Sequence, residues 1–368
     1  MSTPLFLYVI FFKKDRLCYP STAKQTGCDK LFYSYEVVIV VKRLQDLGER
    51  AAIRQIQTLL SKGTQHRNIG DDCATIIFGK QYLLITTDMI SQRTHIPTQM
   101  TPYQMGWFLV AINLSDIAAK GGTPLGVLCA FGLPKTTKET FFRELTKGAN
   151  ACAVQYSTTI VGGDTKETTE ITLSGTAVGI VNKNEFMPRK GASPGDIVAV
   201  TGWLGKAGLG YYAIQKNSKE KKRSKGLFEP QPRLKEGRLL AQTYSVTSSM
   251  DLSDGLSASL YQLQEINAVG FEINKEAVPL ASGLNQRFTK QSGIDPYVVA
   301  LHFGGDYELL VTIPPKKFER IKQTMRKHGL LLSPIGIVTK EQKILLIGNK
   351  KKKILPNKGY EHFKKHIF

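Results

Sequence analysis

The chain has 368 residues, 42% of them hydrophobic and 22% charged, and its 50 Lys and Arg against 30 Asp and Glu leave a net charge of +20. That length suffices for two domains, each with its own core, and the apolar content excludes a disordered chain. The five cysteines are odd in number, scattered and without a CxxC pair, which argues against a disulfide framework or a zinc site and makes a reducing, cytoplasmic setting the expectation.

Residues 1–42 read as an extension. Within it "LFLYVIFF" (5–12) is apolar but only eight residues long, too short to cross a bilayer. Lys13 and Lys14 follow it instead of preceding it, as the charges of a signal peptide would. "EVVIVV" (36–41) is β-branched and predicts a strand. A first domain is expected over 43–187. It opens on a helix, with Leu44, Leu47, Ala51, Ile56 and Leu59 near helical spacing. "QYLLITTDMI" (81–90) predicts a strand with an acid near its end, and "QMGWFLVAINLSDIAAKG" (104–121) a helix stopped by Gly121-Gly122. "PLGVLCAFGLP" (124–134) predicts a buried strand, and "TKETFFRELTKGANACAVQY" (137–156) an amphipathic helix. "TTIVGGDT" (158–165) and "ITLSGTAVGIV" (171–181) predict two more strands.

"RKGASPGDIVAVTG" (189–202) marks a junction, and a second α/β unit is expected over 188–368. Its predicted helices lie at 208–216, 234–244, 255–266 and 316–329, with strands in "GFEINKEAVPL" (270–280) and "HFGGDYELLVTI" (302–313) and a short strand pair at 335–348. The runs "KNSKEKKRSK" (216–225) and "NKKKK" (349–353) hold much of the excess charge. They lack interleaved aromatics and any nucleic-acid motif, so they read as solvated loops.

The acids stand in a recurring setting: Asp71 and Asp72 in "NIGDDCATI", Asp88 in "LLITTD", Asp116 in "NLSD", Asp164 in "VGGDT", Asp251 and Asp254 in "DLSD", and Asp306 and Glu308 in "GGDYE". Each borders an apolar run, beside Gly, Ser or Thr. The trio Leu-Ser-Asp occurs at 114–116 and again at 252–254, and reads both times as the head of an apolar helix. Taken singly, each motif has an ordinary explanation as a helix N-cap or a tight turn. Brought together, so many carboxylates would repel one another unless cations sat among them. Mg²⁺ held partly by protein and partly by phosphate oxygens meets that need, with Thr86, Thr87 and Ser253 as neutral oxygens. Other chemistries lack their motifs. "GWLGKAG" (202–208) fails as a P-loop, no GxGxxG opens a helix after a strand, and neither GxSxG nor HExxH occurs. The six histidines are isolated; His95 is singled out because it stands seven residues past Asp88.

In order and spacing, "LGER", "GDDCA", "TTDM", His95, "NLSDIAAKGGTP", "GGDT", "RKGASPGD", "DLSDGL", "GGDYELL" and "GYEHF" resemble the thiamine-monophosphate kinases over about residues 44–363. The resemblance implies an α/β (α+β) chain with the two-domain aminoimidazole ribonucleotide synthetase-like fold, mixed sheets flanked by helices. It implies ATP as co-substrate, several Mg²⁺ ions, transfer of the γ-phosphoryl group to thiamine monophosphate, and a homodimer joined through the first domain's strands. Carried over by motif, the Mg²⁺ shell is Asp72, Thr86, Thr87, Asp88, Asp116, Asp164 and Asp251, with Asp254 holding a further metal near the transferred phosphate. Gly163, Asp164, Arg189 and Ser253 become ATP contacts, and Arg189 and Asp254 the catalytic pair. His95, Asp306 and Tyr360 become substrate contacts. Two departures stand out. "GGDYE" is one residue shorter than the common Gly-Gly-Glu-Asp-Tyr-Glu, and Lys120 stands where methionine is common. The acceptor is a phosphate monoester whose second pKa is about 6, so no general base is required. The rival readings are a selenophosphate synthetase, for which Cys18 and Cys28 of the extension would matter, and a basic nucleic-acid-binding protein. The main reading expects no nucleic-acid partner and no membrane.

Overall fold

Alternation along the strands sets up the first sheet. The computed structural model describes residues 43–60, 69–216, 221–349 and 351–363; the expected strand at 36–41 and the rest of the extension lie outside them. Ala74–Phe78 (β1), Gln81–Ser91 (β2), Thr123–Leu133 (β3), Ile160–Glu167 (β4) and Thr172–Asn182 (β5) form a five-stranded sheet in the order β1-β2-β5-β3-β4. On β2, Leu84, Thr86, Asp88 and Ile90 face inward, opposite Gly179, Ala177, Gly175 and Leu173 of β5. Thr87 and Met89 face outward. The small residues on β5 leave room for the helix Pro102–Ala119, which is buried along most of its length and therefore apolar all round. Thr101 starts this helix with a reciprocal capping box to Gln104. A second helix, Glu139–Gln155, packs on the first.

The second sheet comes from residues 197–354. Ile197–Thr201 (β6), Ser248–Asp251 (β7), Gly270–Asn274 (β8), Leu309–Ile313 (β9), Leu332–Thr339 (β10), Ile344–Gly348 (β11) and Lys351–Ile354 (β12) are ordered β12-β11-β8-β10-β6-β9-β7. It is mixed, because β11 runs parallel to β8 while the other pairs are antiparallel. The two halves share apolar packing. Leu234, Leu240 and Ala241 of the helix Leu234–Ala241, and Leu309, Val311 and Ile313 of β9, join the core under the first sheet.

Several local expectations change. Leu114-Ser115-Asp116 occupies the last turn of the helix Pro102–Ala119, not its head, whereas 252–254 does lead into the helix Leu256–Asn267. The first predicted helix breaks at Gly48 (φ +81°) into Leu44–Leu47 and Glu49–Leu59. The strands β10 and β11 do not pair with each other; β8 lies between them. The lysine run at 351–353 is an edge strand, its backbone bonded to β11 and its side chains in water, a common way to blunt a sheet edge. Part of the basic run at 216–225 lies in the helix Lys221–Phe228. Strands β1 and β7 and the helix Pro296–His302 have no counterpart among the expected elements.

Candidate active site

Four separate segments meet at one acidic pocket. The turn after Gly70 brings Asp72, the inner face of β2 brings Thr86 and Asp88, and the last turns of the helix Pro102–Ala119 bring Asn113, Ser115 and Asp116. Strand β7 ends there on Asp251. Carboxylate oxygens of Asp72, Asp116 and Asp251 lie within 4.8 Å of one another. Thr86 Oγ1 donates to Asp116 Oδ2 at 2.5 Å, and Ser115 Oγ donates to Asp251 Oδ2 at 2.7 Å. Asn113 Oδ1 accepts from the Asp88 N–H at 3.1 Å and so fixes the strand next to the pocket. Asp254 takes a hydrogen bond from Gln262 Nε2 at 3.0 Å and stands 3.9 Å from Arg50. Asn113, Asp116 and Lys120 fall at helical spacings of three and four, which aims all three side chains the same way.

Burial and like charge push most of these acids up. Asp251 rises to about 7 and Asp88 to about 6, mainly through desolvation and then through their acidic neighbours, Asp72 first. Asp116 is driven well above the carboxylate range by burial, then by Asp88, Asp251 and Asp72. Asp254 is raised by burial. Asp72 goes the other way: burial would raise it, but Arg189 and Lys120 together hold it below the usual value. Tyr307 turns its ring toward the same pocket, and burial with the surrounding carboxylates raises its phenol far above 10. Buried carboxylates that share protons near neutrality, with hydroxyls beside them, fit a hard divalent cation.

The other expected residues take other places. Arg189 joins the pocket through Asp72, with Nε 2.9 Å from Oδ1, and its Nη1 reaches Gly70 O and Gln262 Oε1. Ser253 lies in the turn after β7, where its carbonyl accepts from Gly305 at 2.7 Å. A Cβ on Gly304 would stand 2.4 Å from that oxygen, so the close joining of "DLSD" and "GGDYE" requires glycine there. His95 and Tyr360 do come together: their rings are 6.2 Å apart, His362 lies 5.0 Å from His95, and Tyr360 OH meets His362 Nδ1 at 3.2 Å. Burial, then His362, lowers His95 to about 4, so its imidazole is neutral at ordinary pH.

Four expected residues are not gathered in this way. Thr87 points from the opposite face of β2, where its hydroxyl donates to Gly175 O at 2.9 Å. Asp164 is exposed on the edge strand β4, on the outer face with Ala130 and Ser174, and bonds the N–H of Thr165 at 2.8 Å. Gly163 is packed so that a Cβ would sit 1.8 Å from Cys129 O, a structural requirement of the β3–β4 pairing. Asp306 turns both oxygens into the first turn of the helix Lys206–Gln215, accepting from Gly205 N at 2.5 Å and Ala207 N at 3.0 Å. Glu308 is buried among Lys206 Nζ (2.5 Å), Arg233 Nη2 (2.6 Å) and Thr201 Oγ1 (2.8 Å). Both acids of "GGDYE" therefore hold structure in place of an open ligand position. The pocket also contains groups the motifs did not single out: Asn113, Ser115, Gln262, Tyr307 and the ammonium of Lys120. Helical spacing from Asp116 was the available signal for Asn113 and Lys120.

Residues 70–181 match the family described as AIR synthase related protein, N-terminal domain, and residues 193–348 match its C-terminal domain. A thiamine-monophosphate kinase of Methanospirillum hungatei is 37% identical over 292 residues, covering 79% of this chain and 92% of its own length. The chain belongs to the thiamine-monophosphate kinase family. A second thiamine-monophosphate kinase, from Aquifex aeolicus, is 31% identical over 326 residues, 87% of this chain and 100% of that one. A solved structure described as "AaThiL complexed with AMPPCP and TMP" superposes with a TM-score of 0.77 at 29% identity, covering 88% of this chain and 100% of that chain. Thiamine-monophosphate kinase likeness thus spans both sheets. Arg189 falls between the two matched segments and Tyr360 beyond the second.

Proposed function

We propose that the chain is a Mg²⁺-dependent kinase that transfers the γ-phosphoryl group of ATP to thiamine monophosphate, giving thiamine diphosphate and ADP. The observation that carries the reading is the convergence of Asp72, Asp116 and Asp251 within 4.8 Å, in a chain whose relatives are thiamine-monophosphate kinases. The ligands named for the similar solved structure, AMPPCP and TMP, pair an ATP analogue with a candidate acceptor. These relatives favour the kinase over the selenophosphate synthetase and nucleic-acid-binding readings.

Asp72, Thr86, Asp88, Asp116, Asp251 and Asp254 would hold the magnesium ions. Bound there, Mg²⁺ supplies charge neutralisation for two phosphate groups that would otherwise repel each other. The chain's own part is positioning. Thr86 and Ser115 orient Asp116 and Asp251, Asn113 fixes the backbone of Asp88, and Arg189 holds Asp72. A cavity of about 340 Å³ opens on the Asp254 side, lined by Arg50, Arg54, Tyr261 and Gln262 together with Glu265 and Glu361, with Arg54 paired to Glu265 at 3.3 Å. The neutral His95 ring and Tyr360 form an aromatic wall suited to a cationic thiazolium.

Thr87 and Asp164 share the outer sheet face with Met89 (62% exposed) and Leu128 (39% exposed). A half-apolar sheet face of this kind supports a homodimer, and ligand roles for Thr87 and Asp164 would then arise at the interface. Among the described residues no helix is long and apolar enough to cross a membrane, and the three buried free thiols agree with a cytoplasmic site of action. Incubation with ATP, Mg²⁺ and thiamine monophosphate, with chromatographic detection of thiamine diphosphate, tests the reading. Product is expected with thiamine monophosphate and ATP together and not when Mg²⁺ is chelated; its absence with all three present would reject the proposal.

A further inference from the structure

The motif "LGER" puts Glu49 in the first turn of the helix Glu49–Leu59, directly after Gly48. From there it clasps the tail by two hydrogen bonds. The Glu49 N–H donates to His362 O at 3.3 Å, and Glu49 Oε2 accepts from the His362 N–H at 3.0 Å. The clasp fixes the tail where the His362 ring stands 5.0 Å from that of His95 and 4.8 Å from that of Tyr360. Glu49 is half-buried beside these rings. Among the described residues its other oxygen, Oε1, receives no hydrogen bond, and no cation pairs with the carboxylate.

A thiazolium ring is a permanent cation, and taking it partly out of water calls for a fixed negative charge beside it. The acids of "GGDYE" do not supply one. Asp306 is held by the amides of Gly205 and Ala207, and Glu308 by Lys206 and Arg233. Asp88 and Asp254 belong to the proposed metal shell, and Asp254 has Arg50 at 3.9 Å. Glu361 lines the cavity on the Arg50 and Arg54 side. Glu49 is the acid that both touches the tail carrying Tyr360 and keeps an oxygen open. Its charge reaches the aromatic wall: burial, then Glu49 and Asp254, raise the Tyr360 phenol. A first-turn position suits an acid through the helix dipole. That explains why Glu49 fits its helix, but not why it turns an unpaired oxygen toward this wall.

We infer that Glu49 is a specificity-determining residue for the acceptor: its carboxylate is the counter-charge to a thiazolium lying against the His95 and Tyr360 rings, and its clasp on His362 positions that wall. The inference deepens the kinase reading and rests on it. The acid that meets the cation then comes from the start of the first domain and not from "GGDYE". Both ends of the described chain close one subsite.

The experiment measures KM and kcat of the full chain, with ATP and Mg²⁺, for two acceptors. One is thiamine monophosphate; the other is its deaza analogue, in which carbon replaces the thiazolium nitrogen and the ring is neutral. Wild type, Glu49→Gln and Glu49→Ala are compared. Glutamine keeps an oxygen for the His362 N–H but carries no charge. Wild type is expected to show a KM roughly ten-fold lower for the cationic acceptor, between the weak effect of exposed charge pairs and the stronger one of buried pairs. Glu49→Gln should raise the KM for thiamine monophosphate roughly ten-fold, and leave the KM for the neutral analogue and both kcat values within about two-fold. Glu49→Ala also loses the clasp and should raise KM for both acceptors. Equal wild-type KM values for the two acceptors would overturn the inference, a comparison that needs no variant to fold. So would an equal shift for both acceptors in Glu49→Gln, the mark of a structural role alone. In either case formation of thiamine diphosphate by wild type leaves the kinase reading standing. No turnover of thiamine monophosphate by wild type would reject the reading and the inference together.

Discussion

Asp251 and Asp88 hold protons near neutrality because water is excluded and other carboxyls stand close. A carboxyl raised in this way favours the fold when protonated. Its contribution is full below the unfolded value of about 3.9 and is lost as pH rises through the folded values near 6 and 7. Asp72 has the opposite sign: its contribution is present above the unfolded value and constant near neutrality. Between pH 6.5 and 8 Mg²⁺ and protons therefore compete for Asp251 and, more weakly, Asp88. The Mg²⁺-induced rise in Tm should be about 3 °C greater at pH 8 than at pH 6.5, read by differential scanning fluorimetry. An equal rise at both values would count against ion binding by these acids. Asp116→Asn and Asp88→Asn should each lower kcat by at least about 10²-fold, as loss of a charge-stabilising group does, with the circular dichroism spectrum unchanged. Full activity in either variant would remove that residue from the site.

Between elements, the helix Lys206–Gln215 shows how a motif acid can serve structure. Gly205 at its N-cap has no side chain to satisfy the first amides, and Asp306 supplies the carboxylate from another strand's approach. Asp306→Ala should destabilise the protein by about 1–2 kcal/mol, the range for a lost cap, and leave the KM for thiamine monophosphate within two-fold of wild type. Unchanged stability with a raised KM would restore the substrate role implied by family likeness. Glu308 sits beside it, bridging Lys206 and Arg233, so the "GGDYE" turn fastens the second sheet's helices while its tyrosine faces the acids. Between the two acids Tyr307 takes a left-handed backbone (φ +50°), so this segment is a turn and not an alternating strand.

On the scale of the whole molecule, the outer face of the first sheet is a feature that no element of the described residues covers. Met89, Leu128 and Val161 are exposed on or beside it, at 62%, 39% and 58%. Light scattering at micromolar concentration should give twice the chain mass. Met89→Glu should reduce it to one chain, because a charge opposite its symmetry mate cannot be buried cheaply. A wild-type protein of monomeric mass would reject the dimer. The charge of +20 has another distribution: the lysines of β12 are in solvent, while Lys120, Arg189 and Arg233 are turned inward against acids.

Alternating and helical periodicity made β2, β5 and the helix Pro102–Ala119 legible, because inward positions must be apolar or small whatever they pack against. Ordered acidic motifs likewise announced Asp72, Asp88, Asp116, Asp251 and Asp254 as a set. The direction of each side chain belonged to the tertiary structure. Thr86 and Thr87 are neighbours in sequence, yet one meets Asp116 and the other the outer face, since a strand sends successive side chains to opposite sides. Asp306 was drawn away by helix amides, and Lys120 was drawn in by Asp71 and Asp72, from segments 99 and 49 residues distant in the chain. A linear sequence records which charges exist; which of them neutralise each other depends on distances that only the packed chain sets.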